Sequence, residues 1–542
     1  MKNRLTRLWP AGTAVSILLA TVSIILNSSL NHNQGHLVYA LDDPYIHMAI
    51  AKNFAGDGVW GVTKYHFSNS SSSPLWTLLI SLFYFLFGVN EATPFILNLI
   101  IAGTLIFLIY FLLKRFKVFG FYKLSLFVAL IYFTPLPTLV FSGQEHILHA
   151  LLTILFAHFA AKELSAEPGS SKGPWAGLML LAPALASIRY EGLFWVALVC
   201  IVFLLRKRWL FSILLGFLAL LPPVLYGLIS ISKDWFFFPN PILLKSILLL
   251  LPGQKNFFSL LGFLTTSGYQ LLLAIPYLSL LLISALLIYV FRLWNQRSFW
   301  NEQQILLLFF IGSTLLHLLF ANAGWFFRYE AYLVAFGLFA ISAAAFDFFS
   351  DPGPEVETQK KPLLRLAIIL LTLVPIYPLA KRGVLALEQT RAATTNIYEQ
   401  QYQMGLFARE FYSGKPVAAN DIGAICFLSA AKCLDLWGLG SKETAILRIS
   451  GYFGREEIDA LAFPMEAIIV YEESFAEIKP ARWIKAGQWK IFHNIVAAFD
   501  SVAFFAPDSA KAARLMKNLK AFAPRLPKTV VQSGTYLDNI EK

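Results

Sequence analysis

Two adjacent carboxylates, Asp42 and Asp43, open the stretch LDDPYIHMAIAKNFAGDGVWG, and His47 follows Asp43 by four residues. A carboxylate of this kind can take a proton from a hydroxyl. Four further short runs carry ionisable or polar groups between apolar blocks. They are Glu145 and His146 in SGQEHILH, Arg189 and Glu191 in RYEG, Asn240 and Lys245 in FFFPNPILLKS, and Arg328, Tyr329 and Glu330 in WFFRYEAY. The planar guanidinium fork of arginine matches carboxylates and phosphates. Each run also has a plainer reading. Asp43 can serve as a helix cap, Glu145 and His146 can sit at a hydrated loop tip, and Arg189 can pair with Glu191. Arg328 and Lys245 can rest on lipid headgroups.

The elements that must position these groups are membrane helices. Of 542 residues, 57% are hydrophobic and only 14% are charged, against about 25% charged in an ordinary soluble domain. The apolar residues fall in blocks, many near the ~20 residues that a helix needs to cross a bilayer. They do not alternate as barrel strands would. The formal net charge of +12 comes from basic residues set between the apolar blocks, the positive-inside pattern. No basic run is rich enough for a nucleic-acid surface. No internal repeat is visible.

The chain begins MKNRLTRLWP and continues apolar to Leu30, which reads as an uncleaved signal anchor with a cytoplasmic N-terminus. Residues 31–93 read as a first external loop. Within it, Asp43 as N-cap and Pro44 at the first helical position start a short amphipathic helix on the membrane surface. Its apolar face is Ile46, Ile50 and Phe54, and Gly56 stops it. Residues 74–88 are too short to span and read as a second interfacial segment. Further spans are expected at 94–113, 118–141, 147–161, 174–191, 193–205, 209–230, 266–291, 303–321, 329–348 and 362–380, about eleven in all. Lys114, Arg115, Lys117, Arg206, Lys207, Arg208, Arg292, Arg297, Lys360 and Lys361 then lie inside, with 351–362 as a cytoplasmic linker. Residues 381–542 read as a soluble α/β domain on the external side. In this topology the five polar runs share the external face, and ionisable residues at membrane depth are functional suspects.

The quoted runs resemble those of the GT-C superfamily of membrane glycosyltransferases, which use polyprenyl-phosphate sugars. LDDPYIHMAIAKNFAGDGVWG with the Ser/Asn-rich stretch and SPLW resembles the first external loop of the arabinofuranosyltransferase-like branch. Protein O-mannosyltransferases carry an Asp-Glu pair there. SGQEH, RYEG, PNPILLKS and DIGAICFLSAAKCLDLWGL resemble further elements of that branch. Tyr190 stands where proline is common, and Asp43 where some relatives have glutamate.

The resemblance implies an α-helical polytopic membrane protein with a catalytic module over 1–380 and an extracytoplasmic domain over 381–542. It implies an inverting hexosyl- or pentosyltransferase of glycan biosynthesis at the cell envelope, in the inner or plasma membrane. The donor would be a polyprenyl-phosphate sugar, and the acceptor a glycan, lipid or protein hydroxyl. Asp42 or Asp43 would be the base, Asp42 preferred because Asp43 has a capping role. Arg189, Lys245 and Arg328 would bind the donor phosphate. His47, Glu145, His146, Glu191, Asn240, Tyr329 and Glu330 would hold the acceptor or orient those arginines. Asp43 and His47 at i, i+4 supply half of a site for a divalent ion such as Mg or Mn; other members of the superfamily use none.

The alternative is a transporter or flippase of lipid-linked sugars. It would more often show paired inverted halves and no large external domain. Cys200 reads as packing. Cys426 and Cys433 admit either a small disulfide loop in an oxidising compartment or two buried thiols.

Overall fold

The computed structural model describes residues 2–114, 116, 119–166, 175–245, 262, 266, 272–294, 297–350 and 361–537. Arg115, Lys117, Lys360 and most of the linker lie outside them, as do the side chain of Lys245 and most of 263–271. The first half is a bundle of apolar helices. α1 spans Lys2–His32. The following loop folds into α2 (Asp43–Asp57) and α3 (Pro74–Phe87). Then come α4 (Thr93–Leu113), α5 (Gly120–Phe133), α6 (Leu136–Ser142) and α7 (His146–Ser165). α8 (Trp175–Ile188), α9 (Gly192–Leu205), α10 (Trp209–Ser232) and the short α11 (Asn240–Lys245) follow. α12 (Pro276–Trp294), α13 (Glu302–Phe320), α14 (Ala331–Ser350), α15 (Lys361–Leu373) and α16 (Ile376–Ile397) complete the bundle.

Among the described residues, eight helices are long and apolar enough to cross a membrane. α3, α8, α9 and the apolar part of α14 add four shorter apolar helices. α3 rises only about 21 Å at 1.5 Å per residue, too little for a ~30 Å hydrocarbon core. It buries Trp76, Ile80 and Tyr84 against the bundle and exposes Leu82, Phe85 and Phe87.

Some expectations need correction. α2 does not lie on an open surface. Tyr45, Ile46, His47, Met48, Ala49, Ile50 and Ala51 are all buried, because α2 is sandwiched between α3 and the C-terminal domain. It also ends two residues later than Gly56, at Gly58, where the backbone is left-handed (φ 69°). Its N-cap position is Asp42, and that side chain makes no capping bond. The span expected at 118–141 is present as one apolar run, Gly120–Ser142, with a break between α5 and α6 where Pro135 and Pro137 interrupt the hydrogen-bond ladder. Last, the boundary drawn at 380/381 falls inside α16. Hydropathy drops there, but residues such as LALEQTRAA are good helix formers. The helix therefore continues through a π-turn at Tyr398–Tyr402 into α17 (Gln403–Phe411).

The C-terminal domain is a mixed six-stranded sheet with helices on both faces. Its strands are β1 (Pro416–Ala419), β2 (Lys432–Asp435), β3 (Ala467–Val470), β4 (Ile484–Lys490), β5 (Ser501–Ala506) and β6 (Val531–Ser533), in the order β2-β1-β3-β5-β4-β6. β2, β1 and β3 are parallel; β5, β4 and β6 pair antiparallel. Its helices are α18 (Gly423–Leu428), α19 (Lys442–Ser450), α20 (Arg455–Ala462) and α21 (Ser509–Phe522). Phe407, Trp489, Phe504 and Phe522 interlock on one face. Ile458, Ile468, Phe475 and Trp483 fill the other. Cys426 and Cys433 are both buried free thiols.

Candidate functional site

A cavity of about 350 Å³ opens where one end of the bundle meets the sheet domain. α2 supplies Asp43, Ile46 and His47, and the loop after it supplies Ser70 and Ser72. The α6–α7 turn supplies Gln144, Glu145 and His146. The α8–α9 turn supplies Arg189, Tyr190 and Glu191. Arg328 and Tyr329 precede α14, and Leu439 comes from the sheet domain. Leu193 and Phe194 of α9, Phe320 of α13 and Ile242 of α11 form an apolar flank.

The turn at Gly143 shows how closely this end is packed. Its φ is 65°, and a Cβ there would lie 2.5 Å from the Tyr39 ring. Glycine alone takes that backbone without strain, so the following Gln144 and Glu145 are aimed inward. Two arginines then organise the charge. Arg328 donates to Asp43 Oδ2 at 2.5 Å, to Tyr329 Oη at 3.2 Å and to Gln144 Oε1. Arg189 donates to Glu145 Oε1 at 2.6 Å and grips Glu191 with both edges of its fork, at 2.6 and 3.2 Å. His146 meets the Tyr329 ring edge-on. The His47 Nδ1 lies 2.8 Å from Thr77 Oγ1, and burial pushes its imidazole below the ordinary value. Three buried atoms here have no hydrogen-bond partner: Glu145 Oε2, His146 Nε2 and Arg328 Nε. Unpaired buried polar atoms are costly, and these are available to a bound molecule.

Of the expected site residues, the fold gathers Asp43, His47, Glu145, His146, Arg189, Glu191, Arg328 and Tyr329 on this cavity. It turns three others elsewhere. The Asp42 carboxylate accepts the Gly423 amide at 2.7 Å and the Ala424 amide at 2.8 Å. A Cβ on Gly423 would come within 2.2 Å of the Asp42 carbonyl oxygen, so this contact requires glycine. Burial and the neighbouring Asp421 carboxylate push Asp42 well up, against the pull of the two amides. Asn240 donates to the Gly438 carbonyl at 2.7 Å. Glu330 pairs with Arg382 at 2.9 Å and accepts from Tyr277 and the Gly324 amide.

Gln144, Tyr190, Ser70 and Ser72 lie inside runs that the sequence singles out, but only packing shows them on the wall. Leu439 likewise closes the quoted run DIGAICFLSAAKCLDLWGL; Arg382 carries no sequence signal of a role. No group of three or more His, Cys, Asp or Glu side chains gathers to hold a metal among the described residues. Asp43 and His47 instead face Arg328 and Thr77.

The fold thus defines a multi-pass helical membrane protein with a C-terminal α/β domain and a charged cavity at their junction. A family described as a domain of unknown function (DUF8728) matches residues 395–506, from the end of α16 through β5. No curated protein matches the chain. Among solved structures, ArnT from Cupriavidus metallidurans, crystallised with undecaprenyl phosphate, is similar at 11% identity and a TM-score of 0.48. The likeness covers 92% of this chain and 98% of that one.

Proposed function

We propose that the chain is an inverting membrane glycosyltransferase. It moves a sugar from a polyprenyl-phosphate donor to a hydroxyl of a glycan, lipid or protein acceptor at the external membrane face. The observation that carries this reading is the pairing of Asp43 with Arg328, beside Arg189, on one cavity at the bundle's end. The sequence resemblance described above points the same way.

The displacement needs a base for the acceptor proton and positive charge for the departing phosphate. Asp43 supplies the base. It takes the hydroxyl proton as the acceptor oxygen attacks the anomeric carbon. The bond from that carbon to the phosphate oxygen breaks, and the lipid phosphate leaves with the electron pair. Arg328 and Arg189 bind that phosphate bidentately. A phosphate that engages Arg328 competes with Asp43 and releases Oδ2 toward the acceptor. The apolar flank of Leu193, Phe194 and the half-exposed Phe320 gives the lipid tail a route out between α9 and α13. Asp42 stays with Gly423 and Ala424, so the geometry favours Asp43 as base. No step is routed through a metal.

The test is transfer from a panel of polyprenyl-phosphate sugars by purified wild type and Asp43→Asn. Turnover with one donor, lost in the variant, is the expected result. A wild type that consumes no donor but moves lipid-linked sugar across liposomes would sink the proposal in favour of a transporter.

A further inference from the structure

A second cleft, of about 370 Å³, is lined by His66, Phe67, Lys233, Trp235, Lys442 and Glu443. The same three stretches of chain that wall the first cavity also build this one. The loop after α2 places His66 and Phe67 here and Ser70 and Ser72 there. The segment after α10 places Lys233 and Trp235 here and Pro241 and Ile242 there. The segment after β2 places Lys442 here and Leu439 there. A hydrogen-bonded seam separates the two. The Asn240 amide donates to the Asn69 carbonyl at 2.9 Å, and its side chain donates to the Gly438 carbonyl at 2.7 Å. The cleft is therefore held by the same rigid junction as the cavity, and is distinct from it.

Its charge and its level suit an anion at the membrane surface. α10 exposes Leu228, Ile229 and Ile231 on its outer face, and the apolar surface ends there, two residues before Lys233. Asp234 adopts a left-handed backbone (φ 59°), which brings both Lys233 and Trp235 to the cleft. Trp235 packs edge-on against Phe67, an interfacial aromatic floor. From above, α19 points its N-terminus at the cleft with Lys442 and Glu443 in its first turn. Ser441, at the N-cap position, accepts from the Asp435 amide and makes no side-chain cap; Glu443 in the first turn offsets part of the positive helix end, which leaves the two lysines as the main source of positive charge. Neither lysine has an ion-pair partner among the described residues.

We propose that this cleft binds the phosphate of a membrane-lipid headgroup, gripped by Lys233 and Lys442 and flanked by His66. The bound lipid would clamp α19, and with it the sheet domain, against the bilayer surface. The proposal does not depend on the transferase reading, and neither does its test.

The full-length protein in a neutral detergent is titrated by calorimetry with dihexanoyl phosphatidic acid and, separately, with inorganic phosphate. Saturable binding of the lipid is expected, weakened about tenfold or more in Lys233→Gln/Lys442→Gln, and tightened in Glu443→Gln. An unchanged melting temperature of the ligand-free double variant excludes misfolding as the cause. Lipid binding that is equal in wild type and double variant, or absent in wild type, overturns the proposal. Inorganic phosphate that binds as tightly as the lipid overturns the lipid assignment and makes the cleft a site for free anions.

Discussion

Asp42 and Asp43 are adjacent, yet their carboxylates leave the start of α2 in different directions. Asp43 lines the cavity and holds Arg328; Asp42 fastens to two amides of α18. Asp43→Asn should therefore lower kcat by about 10²–10⁴-fold, the usual worth of a general base, with donor binding preserved. Asp42→Asn should keep kcat within about tenfold. It should instead loosen the sheet domain by about 1–3 kcal/mol, the cost of leaving a buried amide without its acceptor, read as faster proteolysis. Equal loss of kcat in both variants would defeat this division of labour. Asp435 gives a pH prediction in the same domain. Burial pushes its carboxyl up to about 6, although the Gly440 and Trp437 amides oppose the shift. A raised folded-state value means that folding takes up a proton. The stability from Asp435 is full below about 4 and is lost as pH rises through about 6. Melting temperature measured from pH 4.5 to 7.5 should fall across that window in wild type, and the fall should be shallower in Asp435→Asn. The sequence singles out the acidic pair and both arginines, and the fold brings Asp43, Arg189 and Arg328 to one cavity. Which acid faces the cavity was not legible in the sequence, because the amides that capture Asp42 lie some 380 residues downstream.

At the scale of elements, Arg328 is delivered by an unusual piece of backbone. Gly324, Phe326 and Phe327 all have positive φ, at 87°, 46° and 61°. For a bulky residue this conformation is costly and must be held by its surroundings. Arg382 of α16 supplies the hold. It donates to the Phe327 carbonyl at 2.6 Å, to Phe133 O at 2.6 Å and to Glu330 at 2.9 Å. Arg382 is thus a positioning residue that acts through Phe327. Arg382→Ala strands the buried Glu330, which costs about 3–5 kcal/mol. Arg382→Lys keeps the charge but loses the fork. Its expected signature is a melting temperature near wild type, with a raised KM for donor and kcat reduced about tenfold. A merely structural role would lower the melting temperature and leave both kinetic constants of the folded protein unchanged. Hydropathy located the helices on either side of this turn. It could not foresee Arg382 as their brace, because α16 there reads as the end of a span, and nothing local records a partner more than 50 residues back.

For the whole molecule, composition and block length made the polytopic helical fold readable, and the polar C-terminal third made the α/β domain readable. Docking of that domain was not readable, since it depends on α2 being buried on both sides. The cavity and the sheet domain share one end of the bundle. Lys162 lies near the other end of α7, about 24 Å along the helix from His146. Arg206 and Arg208 gather beside it, with Arg208 paired to Glu163 at 2.7 Å. The positive-inside rule applied to these basic residues predicts that the sheet domain lies outside. Single cysteines introduced at Tyr452, which is 72% exposed on the sheet domain, and at the exposed Lys162 test this in intact cells with a membrane-impermeant maleimide. Cys426 and Cys433 are buried and should contribute little background. Labelling at position 452 without lysis, and at 162 only after lysis, is the expected pattern. The reverse pattern would put the cavity on the cytoplasmic side, and with it any donor sugar, its acceptor and the exit of the lipid tail.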